Sequence, residues 1–246
     1  MMTGGVADRY RRWGVDVLLE SHPDLRIIPT VDESLKVGGV LRFRVRGPRQ
    51  QYIEDEYSVE MRFPAEFPAE FPAEFPSVFE TGGRIPEDFH KLEDGSLCLA
   101  APTAIKLGLN AGMTLARFVE AFVVPYLFSF SSFERTGSMP YGELEHGKEG
   151  LRQHFATLFG VDDRVVALEF VRLTSLKKRR ANKVACPCGS GRRLGRCHNR
   201  TVNGLREKLG RGWFAQCYAH LGSKEQRPRR IPSSEPLTRP VVSAPS

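Results

Sequence analysis

Long apolar runs are missing from this chain: no stretch approaches the roughly 18 consecutive apolar residues that a membrane-crossing helix needs. The longest apolar region, around 115–130, is interrupted by Arg117, Glu120 and Pro125. No apolar segment follows Arg9, Arg11 and Arg12, which argues against a secretory signal peptide. Cysteine is sparse as well. Three of the five fall within twelve residues, a spacing that suits a metal site in a reducing compartment and not a disulfide framework. Together these absences predict a cytoplasmic protein with no membrane partner.

Acidic residues are also scarce at one end. From Leu176 onward 17 Lys/Arg face 3 Asp/Glu, a balance of +14, whereas the first 175 residues hold 19 and 26, a balance of −7. A basic tail on an acidic body is a candidate surface for nucleic acid or for an acidic protein. A solvated basic face, or one folded back over the body, accounts for the same charges. What is abundant is ordinary: 41% hydrophobic and 26% charged residues are the proportions of a globular protein. The length suffices for one domain of common size plus a small unit.

Periodicity supplies the elements. Tyr10, Trp13, Val17 and Leu18 predict a helix over 7–20, closed by His22-Pro23. Leu25, Ile27 and Val31 fit a short strand. Residues 40–46 alternate up to Gly47-Pro48, as do Tyr57, Val59, Met61 and Phe63, predicting two half-buried strands. A tetrapeptide repeat follows, Phe63-Pro64-Ala65-Glu66 with further units from Phe67 and Phe71, then Phe75-Pro76. Proline at every fourth place removes ladder donors, so an extended connection with its phenylalanines docked on the sheet is expected. Residues 77–81 resume as a fourth strand. Thr114 is placed to cap a helix burying Leu115, Phe118, Val119 and Phe122, with Pro125 near its end. Another helix is expected over 148–159, a charged linker over 177–182, and disorder from Lys224 onward.

Cys186, Cys188, Cys197 and His198 stand as two donors one residue apart and two adjacent, with eight residues between the pairs. Zinc takes four such donors as a tetrahedron, and Gly189 and Gly191 allow the sharp turn that lets both pairs face one ion. Four protein ligands make a structural site whose metal supplies folding energy to a unit with little core. The pattern resembles the SEC-C motif, including a form that ends in Cys-His. Cys217 lies outside it and reads as a helix-packing residue.

Cys98, within Asp94-Gly95-Ser96-Leu97-Cys98-Leu99, taken alone reads as a buried structural thiol. Its surroundings resemble ubiquitin-conjugating enzymes, whose active-site segment is Asn-Gly-x-Ile-Cys-Leu. Tyr52, followed eleven and twelve residues later by Phe63-Pro64, resembles that family's third strand, and residues 78–81 its fourth. The similarity covers roughly residues 7–160. It implies an α+β fold of the UBC-like type, in the order helix, four-stranded meander, active-site loop, helices. It also implies that Cys98 carries a ubiquitin-like modifier as a thioester and passes it to a target amine. The implied partners are an adenylating enzyme, the modifier and a protein target. Two departures stand out: one extra Phe-Pro-Ala-Glu unit, and His90 where the family's His-Pro-Asn has its asparagine. A histidine there can donate to an oxyanion, act as general base, or serve only as a loop residue. Residues 141–147 with Gly150-Leu151 resemble a segment of bacterial relatives, some linked to antiviral defence. His146 within it is either an accessory catalytic group or a turn residue.

The expected organisation is a conjugating-enzyme-like domain over 1–175 and a basic linker over 176–183. A zinc unit with a helical extension follows over 184–223, then a tail over 224–246. The alternative to a transferase is a non-catalytic adaptor that binds a protein or nucleic acid, with Cys98 inert.

Overall fold

The alternating stretches become the two long strands of one antiparallel sheet. The computed structural model describes residues 4–31, 34–47, 52–64, 75–140 and 147–222. Strands β1 (Leu25–Ile28), β2 (Leu35–Arg46), β3 (Tyr52–Phe63) and β4 (Ser77–Glu80) lie side by side in chain order, each antiparallel to the next. β2 and β3 pair over their full length, from Leu35 opposite Phe63 to Arg46 opposite Tyr52. Leu35, Val37, Leu41 and Phe43 are buried with Tyr57, Val59, Met61 and Phe63, while Arg42, Arg44, Glu54 and Glu56 are exposed. One face of the sheet is therefore apolar. The fold class is α+β, as expected.

Helices cover that face. α1 (Gly4–Trp13) and α2 (Val15–Ser21) replace the single helix expected over 7–20, because Gly14 takes the left-handed conformation at φ 69°. α3 (Pro102–Asn110) starts on a proline, whose missing N–H costs nothing in a first turn. Thr114 caps α4 (Leu115–Phe118), its hydroxyl accepting the Arg117 N–H at 3.4 Å. The expectation that this helix ends near Pro125 is overturned. A π turn (Val119–Val123) leads into α5 (Val124–Thr136), which closes on Gly137. Proline in a helix crowds the carbonyl of the preceding turn and leaves it without a donor. The wider π turn just before Pro125 absorbs that mismatch. The resulting rod, Leu115–Thr136, is long and apolar enough to cross a membrane by length and composition, with a mean hydropathy of 1.2. Within the protein 61% of that apolar window is buried.

Downstream come α6 (Gly147–Phe159), α7 (Arg164–Ser175), α8 (Lys178–Ala181) and α9 (Asn199–Gly222), the last bent at Gly210. The segment expected as a plain linker contains α8, with Ala181 fully buried. Apolar side chains form two cores. The first runs from Trp13 to Phe130 between the sheet and α2 to α5. The second joins Phe155 and Phe159 of α6, Phe170 of α7 and Phe214 of α9 to Cys186 and Leu194. Residues 147–175, grouped by the sequence with the N-terminal unit, thus pack with the Cys/His segment. Phe75 touches both cores and meets Trp213 of α9 edge-on at 6.1 Å. Phe63 packs edge-on against Phe118 at 5.9 Å. Phe67, Phe71 and the tail over 224–246 lie outside the described residues.

A candidate metal centre and a candidate thiol site

Behind α8 the chain doubles back on itself. The Cys186 N–H donates to Arg192 O at 2.8 Å and the Leu194 N–H to Val184 O at 2.9 Å, with Ala185 bridged to Arg193. Gly189 and Gly191, at φ 77° and 70°, make the turn between them. A 3-10 turn (Leu194–Arg196) then delivers Cys197 and His198 to the start of α9. The four expected ligands converge. Their donor atoms lie within 4.8 Å of one another. Cys186 Sγ stands 3.2 Å from His198 Nδ1 and 3.4 Å from Cys188 Sγ, and Cys197 Sγ stands 3.5 Å from Cys188 Sγ and 3.4 Å from His198 Nδ1.

This donor set fits a zinc ion. A tetrahedron with Zn–S near 2.3 Å and Zn–N near 2.0–2.1 Å has edges of about 3.5–3.8 Å, close to the separations found. Three sulfurs and an imidazole with no charge beside them would be a poor group to gather, but at Cys188 the surroundings favour thiolate. The Ser190 hydroxyl and backbone N–H pull the Cys188 thiol well below its usual range. Arg192 Nη lies 3.6 Å from Cys197 Sγ and the Ser190 hydroxyl 3.3 Å from it. Burial pushes Cys186 upward, a shift that a metal cation would reverse. The His198 ring rests against Phe170 at 4.9 Å, continuing a stack in which Phe170 lies 5.1 Å from Phe159. The ligand set is thus welded to α6 and α7, a contact that spacing did not reveal. Cys217 is buried on α9 outside the cluster, and burial pushes its thiol up to about 11.

Cys98 sits on a hairpin that hangs from β4. The Leu97 N–H donates to Val78 O at 2.7 Å, and Lys91 bridges Leu97. Asp94 holds the tip by accepting from the Ser96 N–H and hydroxyl at 3.0 and 2.6 Å. The Cys98 N–H donates to His90 O at 2.8 Å, so the backbone of the two expected site residues is joined. The same carbonyl accepts the Tyr126 hydroxyl at 3.2 Å, which also reaches Phe89 O at 2.9 Å. Phe89 packs against Phe130 at 4.7 Å. His90 has φ 43°, the single positive value outside glycine among the described residues. Asparagine and histidine both enter that region more readily than most residues. The Cys98 thiol is half-buried, and burial raises it above the usual thiol range. Burial first, and the neighbouring Cys98 second, raise the Tyr126 hydroxyl too. Tyr126 carries no motif, and only the fold brings it to the hairpin. His146, the accessory candidate, lies outside the described residues.

Comparison of the chain with protein-family models, with curated proteins and with solved structures finds no match.

Proposed function

We propose that this protein is a ubiquitin-conjugating-like transferase with Cys98 as its acyl carrier and a structural zinc site. What supports this reading is the position of Cys98: a half-buried thiol on a hairpin that follows a four-stranded antiparallel meander and precedes the helices that pack on it. The order of elements agrees with the resemblance in the residues around Cys98, and a backbone hydrogen bond couples that residue to His90.

In the proposed cycle the Cys98 sulfur bonds to the carbonyl carbon of an acyl group activated by an adenylating partner. The donor's leaving group departs and the thiol proton goes to solvent. A target amine then attacks the thioester, the C–N bond forms, and the C–S bond breaks to release the Cys98 thiolate. His90 either donates to the transient oxyanion or takes the amine proton. In the absence of a partner the raised thiol keeps Cys98 protonated near neutrality, so docking of the partner or modifier has to activate it. Cys186, Cys188, Cys197 and His198 would hold zinc with every position filled, which leaves the metal a cross-linking role.

The test is mass spectrometry of the chain mixed with ATP, a candidate modifier and its adenylating enzyme. The expected product is an adduct on Cys98 that thiols cleave and that Cys98→Ala lacks. The second reading, an adaptor, draws on the half-buried, raised thiol. Full binding of the modifier by Cys98→Ala, with no adduct on the native chain, would establish it.

A further inference from the structure

Several arginines before α8 have acidic partners. Arg42 pairs with Asp24 and Glu56, Arg84 with Asp55 and Glu134, and Arg164 with Glu149. The pattern stops at α8. Arg179, Arg180, Lys183, Arg193, Arg196 and Arg200 are all exposed, and none has an acidic partner among the described residues. Over 176–222 the sequence holds twelve Lys/Arg and one acid, Glu207.

The fold gathers these cations. The Gly195 N–H donates to Asn182 O at 3.1 Å and the Leu194 N–H to Val184 O at 2.9 Å, which lays 192–196 alongside the segment leaving α8. Arg193 and Arg196 thereby stand next to Lys183 and the end of α8, and Arg200 follows within the first turn of α9. We infer that this face, formed by α8 and the Cys/His knuckle, binds the phosphate backbone of a double-stranded nucleic acid without reading its sequence.

Three features select that partner. Most of the cations are arginines, whose planar fork matches phosphate oxygens in pairs. Tyr218 is the single large hydrophobic exposed over 176–222 among the described residues. The face therefore has no apolar wedge for a lipid surface, no aromatic platform for the bases of a single strand, and no apolar centre for a protein interface. A stiff duplex with evenly spaced phosphates uses charge alone. The inference does not depend on the chemistry at Cys98.

Anisotropy of a short labelled DNA duplex titrated with the full zinc-loaded chain tests it. Two unrelated sequences should bind alike. Contact with six phosphates would weaken affinity about a thousandfold between about 50 and 200 mM salt. Arg193→Ala and Arg196→Ala should each reduce the salt slope by about 1. A double variant off the knuckle, Arg179→Glu with Arg180→Glu, should weaken binding at least about tenfold while keeping its zinc, so that lost folding is not mistaken for lost contact. Arg227→Glu with Arg229→Glu and Arg230→Glu, in the basic tail, should leave most of the affinity. The inference is overturned by absent duplex binding at low salt or by loss of binding in the tail variant alone. Tighter capture of polyglutamate or of phosphatidylglycerol vesicles than of the duplex would overturn it equally.

Discussion

Asp55 occupies an inward position of β3, on the same face as Tyr57 and Val59, where a carboxylate is costly. Burial is the largest influence and opposes its ionisation, but two hydrogen bonds from Arg84, at 2.7 and 2.9 Å, together with the Glu56 N–H at 2.9 Å and the Ser131 hydroxyl, outweigh it and hold the carboxyl at about 2, below the ordinary 3.8. A lowered carboxyl contributes stability that is fully present above the unfolded value and is lost as pH falls through the folded one. Arg84→Met should therefore lower stability at neutral pH by about 1–3 kcal/mol, less than for a fully buried pair because Arg84 is one-third exposed. The deficit should shrink below about pH 4 as Asp55, left with Arg135 as its cationic partner, takes up a proton, which thermal melts at pH 7 and pH 3 will measure. The Cys98 thiol is raised by burial, the opposite direction. Its alkylation in the folded protein should climb about tenfold per pH unit through neutrality, without levelling off in the usual thiol range. A plateau near pH 7 in the pH–rate profile would mean that a cation acts on the thiol against the direction set by burial.

At the scale of elements, the Cys/His cluster and the helices form one construction. His198 rests on Phe170 of α7, Phe170 on Phe159 of α6, and Phe155 on Phe214 of α9. The protein should contain close to one zinc per chain by elemental analysis. Chelation, or Cys188→Ser, should release protection not only in the knuckle but across α6 and α7. The β2–β3 ladder should keep its protection, because it belongs to the other core. Hydrogen exchange resolved by peptide separates these outcomes. Release confined to 184–200 would mean that the helices fold without the metal.

For the whole molecule, the two cores communicate through a small contact between α3 and α9. Trp213 donates its indole N–H to Thr103 at 3.3 Å, meets Phe75 edge-on, and lies 5.5 Å from the buried Lys106 ammonium. Asn110 Nδ2 donates to Lys208 O at 2.5 Å beside it. Trp213→Ala should cost about 3–5 kcal/mol, since it opens a large void and strips the ring from Lys106. It should also split one melting transition into two, as the cores lose their shared contact. A single transition by calorimetry, shifted but unsplit, would place the coupling elsewhere.

Much of this was legible along the chain. Period-two alternation marked β2 and β3, Thr114 was a cap by its residue type and place, and the Cys/His cluster followed from spacing within thirteen residues. Two helices went unread although they carried signals: Pro102 opens α3, and Asp163 caps α7 by accepting the Val165 and Val166 N–H groups. The sequence by itself determined what depends on neighbours a few residues apart. It also placed the likeness around Cys98 and His90, but not the half-buried setting of the thiol or the carbonyl shared by Cys98 and Tyr126. The continuation of the helix past Pro125, the allegiance of α6 and α7 to the Cys/His end, and the gathering around the knuckle of cations with no acidic partner among the described residues were settled only in three dimensions. Each depends on contacts between residues distant in the chain or on a backbone turn that relieves a local clash, and no short-range period encodes those.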